Sequence, residues 1–316
     1  MMKPLSSTEI RGSWATLLLP INEDENINWE KLAYEIDTLI SMKVSGIYSN
    51  GTAGEFYNLT EAEFDRVSQM LAEKCNAAEM PFQIGCSQMS PKLSLERVKR
   101  VKSLHPSAIQ VVLPDWSVPN LSETIDFLRV MADAADPVGL VLYNPPHVKK
   151  VLSPSEYHEI KATGVRLVGC KVGGGDESWY AAMRTWAPDL SLFIPGHHLA
   201  TGISRGAQGA YSNVACLHPQ VAQRWYETIL THPEKGLELE KRIQHFMNEL
   251  IVPYIRNQQY SNQAVDKLLA AVGGWADIGT RLRWPYRGVD ETEVAKVRQA
   301  GQRILPEFFE QTNDLW

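Results

Sequence analysis

Tyr143 and Lys171 are the residues of this chain whose types and spacing best support chemistry. Each closes a short apolar run. Val138-Gly-Leu-Val-Leu-Tyr143 leads into Asn144-Pro145-Pro146, and Arg166-Leu-Val-Gly-Cys-Lys171 leads into Val172 and the glycines at 173, 174 and 175. Between them, Ser153-Pro154-Ser155-Glu156 carries the marks of a helix start, with serine as N-cap, proline at the first helical position and glutamate three residues after the cap. A strand, helix and strand of this length return the chain parallel to itself, which brings both side chains to the C-terminal edge of one sheet. Burial there disfavours an ammonium ion and lowers its pKa from about 10.4, leaving the neutral amine that attacks a carbonyl carbon. A tyrosine beside it can pass a proton to and from the carbinolamine oxygen. The plainer alternative for Lys171 is a strand-end lysine that reaches solvent or pairs with a carboxylate.

Placing such a pair requires a scaffold, and the hydrophobic pattern supplies a repeating one. Strands are expected at Trp14–Pro20, Ser45–Asn50, Pro81–Cys86, Ala108–Leu113, Val138–Tyr143, Arg166–Lys171, Leu190–Pro195 and Ala207–Asn213, with helical spacing of apolar residues between them. Eight strand-then-helix units of roughly 25 to 35 residues predict an α/β fold of the closed (β/α)8 barrel type. An open doubly wound sheet is the rival. No G-x-G-x-x-G follows the first strand, which weakens its nucleotide-binding version. Residues 1–220 are expected to form the barrel with the active site, and 221–316 a helical C-terminal extension packed on it. Apolar spacing marks three helices there: one through Leu237–Ile251 stopped by Pro253, one through Val265–Val272 ended by Gly273-Gly274, and one through Val294–Leu305.

The remaining bulk features exclude several classes. A net charge of −6 with scattered basic residues gives no footprint for nucleic acid or for an acidic membrane surface. No apolar run approaches the ~18 residues of a spanning helix, and Met1–Arg11 has no apolar stretch of signal-peptide length. Cys75, Cys86, Cys170 and Cys216 are far apart, so neither a disulfide framework nor a zinc ribbon is indicated. A cytoplasmic protein with reduced thiols is the expectation.

In a barrel the loops at the C-terminal strand ends converge. Gly51-Thr52-Ala53-Gly54, Trp116, Tyr143-Asn144, Lys171, Gly196-His197-His198 and Tyr211-Ser212 would then ring one cavity. The turn at Gly51–Gly54 offers backbone N–H groups and a hydroxyl, a cradle for a carboxylate. Glu55 is read as holding that loop or capping a helix rather than acting as a base. The glycines at 173–175 are read as giving the backbone room beside a bound substrate. Adjacent histidines on a strand-end loop should point apart, and no H-x-H or H-x-x-E partner accompanies His197-His198, so no metal is expected.

Gly51-Thr-Ala-Gly-Glu55, Tyr143-Asn-Pro-Pro146 and Gly169-Cys-Lys171, with 28 residues from Tyr143 to Lys171, resemble the dihydrodipicolinate synthase / N-acetylneuraminate lyase family. The resemblance runs from about residue 10 into the C-terminal helices. It implies a (β/α)8 barrel with a helical tail, a homo-oligomer (tetramer or dimer), and a lyase of the Schiff-base aldolase kind working without a bound cofactor. Lys171 would form the imine with a 2-oxo acid such as pyruvate, and Tyr143 would shuttle protons. Thr52 and the Ala53 amide, in the turn opened by Gly51, would hold the carboxylate, and Gly196 and Tyr211 would line the pocket. Three positions depart from the synthase pattern: Ala53 stands where a second hydroxyl residue is typical, Trp116 where a relay tyrosine is typical, and Val148 where an arginine holds the second substrate's carboxylate. Lys149 and Lys150 could supply charge, but not a bidentate clamp.

These departures argue against lysine-pathway synthase activity and leave three readings. One is an aldolase joining or cleaving a 2-oxo acid and an aldehyde. The second is a hydro-lyase acting on a keto-deoxy sugar acid through the same imine, a branch that Gly54-Glu55-Phe56-Tyr57-Asn58-Leu59 resembles. The third is a silent relative that binds a small acid.

Overall fold

The computed structural model describes residues 2–309. Among these, the strands β1 (Gly12–Thr16), β2 (Gly46–Ser49), β3 (Phe82–Gly85), β4 (Ala108–Val111), β5 (Leu140–Tyr143), β6 (Leu167–Lys171), β7 (Ser191–Pro195) and β8 (Gly209–Tyr211) pair in sequence order. All pairings are parallel, and β8 returns to β1 to close the barrel. The expected (β/α)8 barrel is therefore the fold, since helices connect successive strands and pack outside them.

The barrel interior is aromatic. Trp14, Tyr48, Phe193 and Tyr211 form an inner cluster with Ile10, Ala108, Val141 and Val168. The rings meet at centroid separations of 4.5 Å for Tyr48 and Tyr211 and 4.8 Å for Phe193 and Tyr211. The main core lies between the strands and the surrounding helices.

Three sequence expectations shift. The first strand begins at Gly12 and stops at Thr16, so Leu17–Pro20 lies beyond it. Leu17, Leu18 and Leu19 are buried; the Leu17 amide still donates to the Tyr48 carbonyl of β2 at 2.8 Å, and the Leu18 amide donates to the buried Glu35 carboxyl at 2.8 Å. The last strand ends at Tyr211, and Ser212, whose amide still donates to the Trp14 carbonyl of β1 at 3.0 Å, caps the helix Asn213–Leu217 with its side chain. Two helices, Asn213–Leu217 and Pro219–Thr231, follow β8 and pack on β1.

Pro253 does not end its helix. The helix Pro233–Phe246 widens into a π turn at Met247–Ile251 and continues as Val252–Arg256, with proline in its first turn. The missing N–H of proline and its clash with the carbonyl four residues back are absorbed by the wider turn. This segment and the helix Asn262–Gly273 lie over the mouth of the barrel.

Candidate active site

Tyr143 and Lys171 are register partners, the last residues of β5 and β6. The Lys171 ammonium nitrogen lies 5.3 Å from the centroid of the Tyr143 ring. Both face a cavity of about 480 Å³ at the C-terminal barrel mouth, within the usual size of a small-molecule site. Among the described residues Lys171 has no hydrogen-bond partner, and enclosure lowers its pKa to about 8, with the Asp266 carboxylate opposing that shift. A sizeable share of neutral amine is thus present near physiological pH. Burial pushes the Tyr143 phenol up to about 12, so it remains a proton donor.

Thr52 places its hydroxyl 3.5 Å from the Tyr143 hydroxyl, at the limit of hydrogen bonding, and Ala53 lies next to it in the wall. The turn that presents them is anchored from below. Glu55, with φ of +50°, is fully buried and pairs with the equally buried Lys267 at 2.8 Å. Its second oxygen accepts from the Arg283 backbone N–H at 3.2 Å. Lys267 also donates to the Arg281 carbonyl at 2.6 Å, and the Arg283 guanidinium donates to Glu63 at 2.9 Å. Glu55 holds the loop, as its position in the sequence suggests, and the partner that makes this possible comes from the C-terminal helix.

The other sequence candidates divide. Tyr211 forms part of the cavity floor, its hydroxyl donating to Gln83 at 2.6 Å beneath it. Gly51 and Gly196 lie behind the wall rather than in it. A side chain at Gly196 would stand 2.4 Å from the Ser212 hydroxyl, so glycine there lets the loop after β7 close on the loop after β8. Trp116 is outside the cavity: it is 81% exposed, and the Lys149 ammonium lies 5.4 Å from its ring. Lys150 pairs with Glu156, so neither lysine supplies charge to the site. Asn144 is buried and pins the loop after β5, donating to the Lys150 carbonyl and accepting from the Leu152 amide.

Two expectations are corrected. The glycine run at 173–175 makes room for protein rather than substrate, since a Cβ on Gly173 would lie 2.5 Å from the Pro146 ring. His197 and His198 do not point apart: their ring centroids are 4.2 Å from one another. Asn213 holds the His197 ring at 2.9 Å, and Gln244 donates to the His198 ring at 3.0 Å. Burial, with a smaller push from His198, lowers the His197 pKa to about 4 and keeps it neutral.

The sequence reading missed His147, Asn213, Gln244 and above all Asp266, which all line the cavity. Asp266 lines the same cavity as Lys171, without a hydrogen-bond partner among the described residues, and enclosure raises its pKa to about 7 against the attraction of the lysine. The signal was its place in Val265-Asp-Lys-Leu-Leu269, where two charges interrupt an apolar run.

Comparison with known proteins places the fold in a family. The profile of the dihydrodipicolinate synthetase family matches residues 9–303, nearly the whole chain. The chain belongs to that family. Its members are lyases of the aldolase type that act on small molecules. An N-acetylneuraminate lyase from Escherichia coli is 22% identical over 305 residues, covering 95% of this chain and 99% of the lyase. Among solved structures, the prophage protein YagE of Escherichia coli K12, in complex with pyruvate, superposes with a TM-score of 0.82 at 18% identity, over 93% of this chain and 98% of that one. A catalytic lysine mutant of the Ruminococcus gnavus sialic acid aldolase gives the same TM-score and identity over 97% and 100%. At these identities the structural likeness establishes the fold of this family member. No helix of the described residues is long and apolar enough to cross a membrane.

Proposed function

We propose that this family member is a Schiff-base lyase that makes or breaks a carbon–carbon bond between pyruvate or a related 2-oxo acid and an aldehyde. The observation that carries the reading is the unpaired Lys171 amine, with a pKa near 8, enclosed beside a protonated Tyr143 and a threonine hydroxyl. Attack of the amine on the 2-oxo carbon gives an iminium ion. That group accepts the electron pair released at the neighbouring carbon when the bond breaks. Thr52 and the backbone of its turn suit the 2-oxo acid's carboxylate, and Tyr143 suits the carbinolamine oxygen.

The cavity also bears on the second substrate. Among the described residues that line it, Lys171 is the sole lysine or arginine, and the opposite wall presents Asn213, Gln244, Asn248, Asn262 and the neutral imidazole of His197. Such a wall hydrogen-bonds hydroxyl groups but has no cation for a second carboxylate. It favours an uncharged, hydroxylated aldehyde and disfavours the lysine-pathway synthase reaction. The same wall suits a keto-deoxy sugar acid, so dehydration through the imine is the alternative outcome. Assembly belongs to the proposal as well. The exposed indole of Trp116 suits contact with a second copy in a dimer or tetramer, which light scattering of the eluted protein checks.

Borohydride trapping against a series of 2-oxo acids tests the reaction. Pyruvate or a close relative is expected to add covalently at Lys171, as located by peptide mass mapping; an unmodified Lys171 with every acid overturns the reading. Below about pH 8 the trapping rate is expected to rise close to tenfold per pH unit and then level off, because the neutral amine is the nucleophile. Tyr143→Phe is expected to retain trapping at a slower rate and to lower turnover by about 10² to 10⁴, the usual weight of a proton-transfer group.

A further inference from the structure

The helix Asn262–Gly273 contributes two consecutive charged residues with different surroundings. Lys267 is fully buried and paired, whereas Asp266 opens into the cavity. The groups whose charge is felt across that space are Lys171 and Tyr143 at the ends of β6 and β5, Tyr48 on β2 and Cys216 after β8. His147 and His197 line the same cavity, and burial lowers the pKa of each. Asp266 is therefore the single carboxylate among the described residues that line the cavity. It makes no hydrogen bond and no ion pair within 4 Å to Lys171 or to any other described residue, so the two opposite charges face each other across space open to a ligand.

We propose that Asp266 is a catalytic residue of this lyase, the base and acid that moves the proton between the acceptor hydroxyl and the carbon next to the imine. The proposal rests on the imine reading above. In the cleavage direction the Asp266 carboxylate takes the proton from the hydroxyl on the carbon beyond the bond to be broken. That carbon–oxygen bond becomes a carbonyl, the carbon–carbon bond breaks, and its electron pair passes to the iminium nitrogen to give the enamine. The aldehyde leaves. The Asp266 carboxylic acid then returns the same proton to the enamine carbon, which restores the iminium ion. Water hydrolyses the iminium ion, releasing the 2-oxo acid and the Lys171 amine. No oxidant, reductant or further proton source is needed. A group that titrates near pH 7 is suited to both halves of this transfer. It also accounts for a carboxylate that faces the cavity without a partner among the described residues, an arrangement that is costly to keep.

The test needs no acceptor. Pyruvate in D₂O exchanges its methyl protons when the enzyme interconverts imine and enamine, and NMR follows that exchange. Wild type is expected to exchange and to be trapped at Lys171 by borohydride. Asp266→Asn is expected to keep trapping, with its pH midpoint moved below that of wild type because the carboxylate that favours the ammonium form is gone, while exchange falls by about 10² or more. Asp277→Asn, which removes an exposed carboxylate paired with Lys31, is expected to exchange as wild type does. Undiminished exchange in trapped Asp266→Asn overturns this proposal alone. Failure of wild type to be trapped by pyruvate overturns the imine reading with pyruvate and takes this proposal with it. Loss of both trapping and exchange in Asp266→Asn marks a positioning role for Lys171 and overturns the proton-transfer role.

Discussion

Replacing Lys171 by methionine is expected to abolish covalent capture of a 2-oxo acid and to lower turnover by at least about 10⁴, because a covalent pathway loses its nucleophile and no neighbouring group replaces it. Methionine matches the length of the lysine stem and fills the same apolar space, so the fold is expected to persist. Asp266 provides the internal check. The lysine charge is the one influence holding its pKa down against burial, so the variant is expected to raise that pKa above about 7, readable from the carboxyl signal by NMR titration. A Lys171→Met protein that still reacts with pyruvate under borohydride, at whatever residue, contradicts the assignment of the amine.

The second large effect is on stability, at a residue that never meets substrate. Lys267→Met leaves Glu55 buried without its cation, and breaking one partner of such a pair typically costs about 3 to 5 kcal/mol. In a chain of this size that corresponds to a fall of roughly 5 to 8 °C in melting temperature. Substituting Glu55 by methionine in the same protein removes the stranded charge, and much of the loss is expected to return. The Arg283 amide and the Arg281 carbonyl then lose their side-chain partners, so recovery stays incomplete. Thermal unfolding of the two single variants and the double variant measures the coupling. Single variants that melt with the parent show that the pair contributes nothing.

The barrel was legible because its signals are local and repeated. The capping box read at Ser153-x-x-Glu156 forms, a second of the same kind stands at Thr60-x-x-Glu63, and short apolar runs fall at every strand. Tyr143 and Lys171 were legible because strand ends in a parallel barrel share one edge, so their cross-strand pairing follows from topology. The opposite wall of the site was not legible. His147, Gln244 and Asp266 reach the cavity through the path of loops and tail helices over the barrel, which no periodicity encodes. Trp116 was misplaced for the same reason: a residue just past a strand end can turn outward. Pro253 misled because a proline signals an end only where the preceding turn is regular, and the π turn before it is not.

The pair between Lys267 and Glu55 also sets an order of events during synthesis. The ribosome delivers residues at roughly 5 to 20 per second, so Lys171 is made about five to twenty seconds before Lys267 and Asp266. During that interval the turn bearing Thr52 lacks its anchor and the barrel mouth lacks one side. Until the tail docks, the nascent chain has its eight strands but neither the wall that carries Asp266 nor the buried cation that holds the turn after β2.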